Sequence, residues 1–273
     1  MCFHIMWLVL FSSISLRAPV VIAAASIAKT IIVDLKGGGD FKSIQQAIDS
    51  VPDYNKKWTK INVAAGVYRE KVNVKSTKSY IVLKGDGAQT TSIEWGDYNG
   101  DSSGHNTETS ATFTSYASNF VAKRITFKNT YNGFANLTPA VAAWIFGDKS
   151  AFYYCSFIGF QDTLADTLGR HYFKGCYIEG VADFVFGYGQ SIYERCKIST
   201  VKSLQKPGYV TAQGRKSATV PVTMVASCSS RALSRGLKQL TWGGHGDTPR
   251  GIGMRRARIR PLWSSEVGEA AEE

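Results

Sequence analysis

Two aspartates occupy equivalent positions in a repeated part of the sequence. Asp162 lies seven residues after Cys155, and Asp183 lies seven residues after Cys176. If the repeats form neighbouring parallel strands, the two carboxyl groups lie about 4.8 Å apart on one face. Like charges at that distance resist joint ionisation, so the pair supplies one protonated acid and one nucleophile or base near neutral pH. Because aspartate also stabilises turns, a turn role for both is the alternative.

Cysteines mark the repeat that aligns these aspartates. Cys176 follows Cys155 by 21 residues, and Cys196 follows Cys176 by 20. Each lies in a short string of alternating residues that ends at a turn, and Ile125 has the same place in an earlier string. Several short strands per period of this length predict a parallel β-helix, in which each coil buries its inner face against its neighbours. A β-sandwich is the alternative architecture.

The residues before this repeat predict earlier coils and one helix. Alternating strings begin at Lys60, Tyr80 and Thr91. The segment Asp40–Val51 has apolar residues on one helical face, and it predicts a helix with Asp40 as the N-cap. We expect this helix to cover the open N-terminal end of the solenoid, since terminal repeats need a cap.

Residues 1–25 have the composition of a secretory signal peptide. An apolar run begins at Met1, and a second one ends in small residues at Ala25. Arg17 interrupts the two runs, so a cleaved signal is favoured over a membrane anchor. Four cysteines, including Cys228, would then face an oxidising compartment, but their spacing does not say which of them pair. The histidines are scattered, which gives no cluster of zinc ligands.

The chain is basic and long enough to bury a core. It has 273 residues, 44% of them hydrophobic, and a formal net charge of +11. Positive charge attracts polyanions such as nucleic acid, anionic lipid or acidic polysaccharide. Zinc-finger spacing, aromatic RNA-binding motifs and basic regions leading into heptads are missing from the sequence, so nucleic acid is disfavoured as a partner.

Six short motifs follow one another between about Lys29 and Arg215. They read GVYRE at 66–70, GDKSAFY at 147–153, QDT at 161–163, CYIEG at 176–180, DFVFG at 183–187 and YVTAQGR at 209–215. Each motif is weak alone, but the ordered set is specific. With these motifs, residues 29–227 resemble the pectinesterases, the pectin methylesterases of plant cell walls, of the type without an inhibitor-like pro-region.

The resemblance implies a fold, a reaction and a location. The fold is an all-β, right-handed parallel β-helix with a cleft across one face. The reaction is hydrolysis of the methyl esters of galacturonate units in pectin, with release of methanol and without a cofactor or metal. Such a protein is secreted to the cell wall as a monomer, its partner is methylated pectin, and a proteinaceous inhibitor is a further partner. The basic net charge agrees with an acidic polymer.

The resemblance also implies roles for four residues. Asp183 attacks the ester carbonyl as a carboxylate. Asp162 donates a proton to the departing methanol and then activates water. Gln161 donates its amide to the developing oxyanion. Phe186 presents its ring to the sugar, with a place in the core as the alternative.

Two departures from the family predict weaker catalysis. Pro139 occupies the position of a family glutamine that donates to the oxyanion, and proline has neither a side-chain amide nor a backbone N–H. Loss of one such donor costs about 10²- to 10³-fold in rate. After Arg215 we find no Leu-Gly-Arg-(Pro/Ala)-Trp segment, whose arginine would orient the nucleophile, and Trp242 and Arg250 are not assigned these roles. The alternative function is therefore a catalytically impaired protein that binds pectin.

Residues 228–273 form a basic tail without similarity to the family. All eight of its basic residues lie between Arg231 and Arg260, against the single acidic Asp247. A departure from the ancestral reading frame after Arg215 would explain the loss of motif and periodicity, and a solvated extension is the alternative. A Gly-His-Gly string also occurs in polygalacturonases, but the carboxylate strings of that family are missing here.

Overall fold

The computed structural model describes residues 26–131, 137–201, 210–213, 225–227 and 243–244. In these residues the strands, numbered in chain order, form three sheets, A, B and C, in which paired strands run parallel. Sheet A contains β1 (Ile27–Val33), β2 (Trp58–Val63), β5 (Ile81–Gly85), β8 (Phe120–Lys123), β11 (Ser150–Tyr153), β14 (Arg170–Lys174), β17 (Gln190–Glu194) and β20 (Val225–Ser227). Sheet B contains β3 (Gly66–Tyr68), β6 (Thr91–Trp95), β9 (Thr126–Asn129), β12 (Ser156–Ile158), β15 (Tyr177–Gly180) and β18 (Lys197–Thr200). Sheet C contains β4 (Val72–Val74), β7 (Phe113–Ser115), β10 (Ala143–Ile145), β13 (Leu164–Asp166), β16 (Val185–Gly187), β19 (Thr211–Gln213) and β21 (Gly243–Gly244).

One strand from each sheet makes one coil of a parallel β-helix. The chain passes through β8, β9 and β10, then through β11, β12 and β13, and then through β14, β15 and β16. Each strand pairs with its counterpart in the next coil, as the repeat near 20 residues predicts. This topology excludes the β-sandwich. The strings beginning at Lys60, Tyr80 and Thr91 form β2, β5 and β6 in the earlier coils, as expected.

Stacked aromatic side chains fill the interior between the sheets. Phe152, Phe173 and Tyr193 come from three successive coils, and their rings lie 5.0 and 4.5 Å apart and almost parallel. Phe157 and Phe127 form a second stack at 5.4 Å. In-register pairing places equivalent residues above one another, so a repeated aromatic becomes a continuous core.

The cysteine column also lies inside, next to a corner of the coils. Cys155, Cys176 and Cys196 are buried free thiols that continue the column from Ile125. Burial, together with the neighbouring thiols, raises the pKa of Cys176 well above its usual value. No disulfide therefore joins these three cysteines, and Cys228 lies outside the described residues.

The single helix of the described residues is shorter than the predicted one. Helix α1 spans Ile44–Asp49 and its N-cap is Ser43, whose hydroxyl accepts a hydrogen bond from Gln46 N. The prediction of Asp40 as N-cap is wrong, because the Asp40 carboxylate accepts from Ile32 N in β1 at 2.8 Å. The predicted apolar face is correct, since Ile44 is fully buried with other residues of this face in the core.

Helix α1 packs near the N-terminal end of the solenoid. It contacts β1 and β4, the first strands of sheets A and C, and also β2. These contacts are compatible with the capping role, which stays a prediction. It is also too short to cross a bilayer, and the part of the chain described here has no other helix. The predicted signal peptide at 1–25 and, apart from β21, the predicted tail at 228–273 lie outside the described residues.

Candidate active site

Asp162 and Asp183 lie at the same corner of successive coils, between sheets B and C. Gln161 pairs in parallel with Ala182, so the next residue in each coil is an aspartate. The Asp162 N–H donates to the Ala182 carbonyl at 3.1 Å. Both aspartates have left-handed backbones, with φ of 61° and 48°, a conformation that aspartate tolerates better than most residues. Both are partly exposed, so the corner is accessible from solvent.

The environment of Asp162 keeps its carboxyl group protonated up to neutral pH. Burial is the larger cause and the charge of Asp183 is the second, and together they raise the pKa of Asp162 to about 7. A proton donor therefore stands beside a second carboxyl group. This is the division into acid and nucleophile that the sequence spacing predicts, although the structure alone does not test the roles.

Gln161 and Pro139 align with Ala182 in the column next to that of the two aspartates, one residue earlier in each coil. Pro139 pairs in parallel with Gln161, and the Ala140 N–H donates to the Gln161 carbonyl at 3.1 Å. The proline is thus one coil before the glutamine, next to the site. Its carbonyl accepts from Asn99 N at 2.8 Å, which ties the loop after β6 to this edge. The predicted lack of an oxyanion donor at Pro139 therefore concerns a position aligned with Gln161, next to the aspartate column.

Two aromatic side chains stand on the outer face of sheet C beside the aspartates. Phe186 is partly exposed and its ring meets the ring of Trp144 edge-on, with centroids 6.1 Å apart. The register places Trp144, Ala165 and Phe186 in one row. They form an apolar patch with buried Ala111 and Val141. Phe186 therefore lies outside the solenoid core, in a position to contact a ligand.

Sequence reasoning missed Trp144. The signal was present, because β10 aligns with β13 once the repeat is extended one coil upstream, and Trp144 then falls into the row of Phe186. Its indole Nε1 is buried without a hydrogen-bond partner in the structure. The ring itself is partly exposed beside two carboxyl groups, which makes it a suitable apolar contact for a sugar ring.

From the sequence alone, Asp166, which lies four residues after Asp162, is interpreted as a loop carboxylate, and this interpretation is wrong. It ends β13 and is buried with its carboxylate fully engaged by His171, Ser191 and Tyr193. Its side chain points to the interior, as the alternation from Leu164 requires. Asp166 therefore belongs to the framework under the site.

One group of side chains in the described residues has a geometry compatible with a metal ion. The ligand atoms of Asp97, Asp101 and His105 lie within 4.8 Å of one another. The ammonium of Lys71, however, lies 2.6 Å from Asp97 Oδ2, and His105 Nδ1 lies 2.7 Å from Asp101 Oδ2. These contacts already balance the acidic groups, so we interpret the group as the structure that holds the loop after β6.

The comparisons with known proteins agree with this geometry. The family model described as Pectinesterase matches residues 30–238. The protein called probable pectinesterase 29 of Arabidopsis thaliana is 50% identical over 195 residues, which is 68% of this chain and 56% of the relative. Probable pectinesterase 55 of the same plant is 48% identical over 198 residues, which is 69% of this chain and 58% of that protein. The chain thus spans somewhat more than half the length of these relatives.

Solved structures give the same result. Pectin methylesterase from carrot has a TM-score of 0.69 and 35% identity, over 73% of this chain and 62% of that one. Pectin methylesterase PemA from Erwinia chrysanthemi has a TM-score of 0.62 and 30% identity, over 70% of this chain and 61% of that one. These similarities confirm the predicted right-handed parallel β-helix. With a family match over residues 30–238 and a relative that is 50% identical over 195 residues, the chain belongs to the pectinesterase family.

Proposed function

We propose that this chain is a carboxylic ester hydrolase that removes methyl groups from the galacturonate units of pectin. The observation that carries the proposal is the stack of Asp162 and Asp183 at an accessible corner, with the pKa of one carboxyl raised to about 7. Membership in the pectinesterase family supports it.

The first half of the reaction forms an acyl-enzyme. A carboxylate oxygen of Asp183 attacks the ester carbonyl carbon, and the carbonyl electrons move onto oxygen. When the tetrahedral species collapses, the C–O bond to the methoxy group breaks and Asp162 donates its proton, so that methanol leaves. Attack also removes the charge of Asp183, one of the two causes that raise the pKa of Asp162. Asp162 therefore becomes a stronger acid when its proton is needed.

The second half regenerates the enzyme. Asp162, now a carboxylate, takes a proton from a water molecule, and the hydroxide attacks the acyl carbon. The bond to Asp183 breaks, the carboxylate of Asp183 is restored, and the sugar leaves as an acid that ionises in solvent. Burial, the larger cause of the raised pKa, makes Asp162 an effective base in this step.

Gln161 is the oxyanion donor in this scheme. It directly precedes Asp162 in the connection between β12 and β13, and its amide is the preorganised dipole that a developing negative charge requires. Pro139, one coil away, contributes neither side-chain amide nor N–H. We therefore expect turnover about 10²- to 10³-fold below that of an enzyme with both donors.

Phe186 and Trp144 are the contacts that we propose for the sugar rings. Their apolar patch adjoins the aspartates, and a related structure is described as pectin methylesterase in complex with hexasaccharide VII. The net charge of +11 favours an acidic polymer. We propose that the chain acts outside the cell on cell-wall pectin as a monomer. A proteinaceous inhibitor is a further partner compatible with this proposal.

The test is methanol release from highly methylated pectin by the purified chain, with Asp183→Asn as the matched variant. We expect the wild type to release methanol above a protein-free blank and the variant to release none. Activity should fall as pH rises through about 7, because Asp162 loses the proton that methanol takes. Equal release by both proteins would contradict the assignment of Asp183.

The alignment of Pro139 with Gln161, beside the aspartate column, favours one second function, that of a pectin-binding protein without turnover. It predicts that the wild type, shown by circular dichroism to be folded, is retained by immobilised pectin and yet releases no methanol. Restoring the donor with Pro139→Gln would then produce methanol release, whereas an active wild type rejects this alternative.

A further inference from the structure

A buried polar cluster lies directly under the candidate active site. Asp166 accepts hydrogen bonds from Ser191 Oγ at 2.8 Å and Tyr193 Oη at 2.7 Å, and its Oδ1 lies 2.5 Å from His171 Nδ1. All four side chains are at most 2% exposed. We call them the Asp166 cluster. Polar groups this deep are costly to bury unless each has its partners, so the arrangement is strictly defined.

The cluster holds a carboxylate in the interior. Burial acts to raise the pKa of Asp166, but the hydrogen bond and charge of His171, with the two hydroxyls, outweigh it and lower that pKa. His171 Nε2 faces the Gly147 carbonyl oxygen at 3.1 Å, so both ring nitrogens face oxygen acceptors. Besides His171, the ionisable groups near Asp166 are Tyr193 and, behind it, Cys176 and Cys196.

The cluster lies where the two strands that follow the aspartates, β13 and β16, end. Asp166 lies four residues after Asp162, and Gly187 lies four residues after Asp183, and the register of β13 and β16 aligns these positions. The backbones of the two coils approach each other closely here, as shown by Gly187, where an added Cβ would lie 2.1 Å from the Asp166 carbonyl oxygen. The Gly189 N–H donates to that oxygen at 3.0 Å.

We propose that Asp166 is a positioning residue, which clamps β16 against β13 and thereby fixes how closely Asp183 approaches Asp162. The proposal rests on the proposed function of these two aspartates. Asp166 comes from the coil of Asp162, His171 lies in β14 of the coil of Asp183, and Ser191 and Tyr193 lie in β17, which follows β16 in the chain. The contacts of Asp166 with these three side chains therefore tie the coil of Asp162 to the coil of Asp183 and to the segment that leaves β16. We expect the loss of one of these hydrogen bonds to leave the fold intact but to increase the separation between Asp162 and Asp183.

The separation of the aspartates is measurable without catalysis. Asp183 is the one ionisable group whose charge raises the pKa of Asp162, so a wider gap lowers that pKa. About 1 Å of added separation at an effective dielectric constant of about 20 corresponds to about 0.5 pKa unit. A role confined to overall stability would not move this value in the folded protein.

The experiment titrates Asp162 by NMR in protein labelled with carboxyl-¹³C aspartate, with the signal assigned through Asp162→Asn. The test variant is Tyr193→Phe, which removes one hydroxyl from the cluster and keeps the ring in its stack. The matched control is Tyr172→Phe. The Tyr172 hydroxyl also donates to a carboxylate one coil on, that of Glu194, but these two residues lie in sheet A and neither belongs to the Asp166 cluster. Ser191→Ala is a second mild variant.

We expect Tyr193→Phe to lower the pKa of Asp162 by about 0.5 unit and Tyr172→Phe to leave it unchanged. The alkaline limb of methanol release should move by the same amount, and kcat should fall about tenfold or more with KM within about twofold. An unchanged pKa in Tyr193→Phe and Ser191→Ala, or an equal shift in Tyr172→Phe, would overturn the proposal. If the wild type releases no methanol and the titration still shifts, the clamp stands and the esterase proposal fails.

Discussion

Asp162 combines a useful chemical property with a cost to the folded state. Its carboxyl group is protonated in the folded protein up to a pH of about 7, whereas an unfolded aspartate ionises near 3.8. The folded state therefore binds the proton more tightly, and folding stability falls as pH rises from about 4 to about 7. Above that range the ionised group stays in a site that disfavours it. A raised pKa of this kind is characteristic of functional positions.

Asp162→Asn is therefore expected to stabilise the protein at alkaline pH. Asparagine keeps the shape and tolerates the left-handed backbone, but it carries no charge near Asp183. We expect a gain of about 1–3 kcal/mol in the free energy of unfolding at pH 8, reduced for the partial exposure of the site, and almost none at pH 4. Urea denaturation at the two pH values measures this difference.

Asp148→Asn serves as a control, for which the expected change in the free energy of unfolding at pH 8 has the opposite sign. The hydrogen bond from Arg170, ahead of burial, lowers the pKa of Asp148 to about 2, so this carboxylate stabilises the fold above pH 3.8 and less as pH falls toward 2. Its replacement should destabilise the protein at pH 8. Destabilisation by Asp162→Asn at pH 8 would contradict the account of the raised pKa.

The shared corner of the two aspartates could be predicted because they repeat with the coil, whereas Gln161 has no repeated counterpart and its role rests on the resemblance to the family. Trp144 was harder to identify, because its direct neighbour in the row is Ala165 and the next aromatic of the row, Phe186, lies two coils after Trp144. Asp166 was misinterpreted for a related reason. A carboxylate in a short strand looks like a turn residue until the partners from later coils, Ser191 and Tyr193, are known.

Among the elements, helix α1 shows how tertiary contacts choose between two possible caps. Asp40 and Ser43 are both good N-cap residues, and sequence alone favoured the earlier one. In the structure the Asp40 carboxylate accepts a hydrogen bond from Ile32 N in β1, so the helix starts after Ser43. Long-range contacts of this kind are invisible to local propensity, whereas the apolar face was predicted correctly because it depends on periodicity alone.

Glu70, part of the GVYRE motif, completes the start of this helix. Its carboxylate accepts from the Ile44 and Gln45 N–H groups at 2.8 and 3.0 Å and from the Ser43 hydroxyl at 2.6 Å. We expect Glu70→Gln to lower the free energy of unfolding by about 1–2 kcal/mol, since these donors lose a charged acceptor. Chemical denaturation at pH 7 measures the change.

Glu94→Gln is the matched control for that substitution. Glu94 also accepts from a serine hydroxyl, that of Ser92 at 2.9 Å, but it lies in β6 and its contacts do not involve a helix. We expect a change within about 0.5 kcal/mol for this variant. Equal losses in the two variants would show that Glu70 does not act through the helix.

At the scale of the whole molecule, regular repetition made the architecture predictable. A period near 20 residues fixes one coil, and parallel pairing of each strand with its copy in the next coil then fixes three sheets. The lengths of the individual strands were less predictable, because a strand ends where a residue at the corner adopts a left-handed backbone conformation. Tyr154 adopts this conformation with a φ of 54°, although tyrosine is not a residue type that indicates it in a sequence.

The positive charge of the whole chain gives a prediction about its substrate. With a net charge of +11, the protein attracts a polymer in which demethylated units are carboxylates, and salt screens this attraction beyond about 8 Å at physiological ionic strength. Raising NaCl from about 20 to 200 mM should increase the apparent KM for partly demethylated pectin about fivefold. Fully methylated pectin is uncharged, so its KM should stay within about twofold. Equal salt effects on both polymers would show that the net charge does not guide substrate binding.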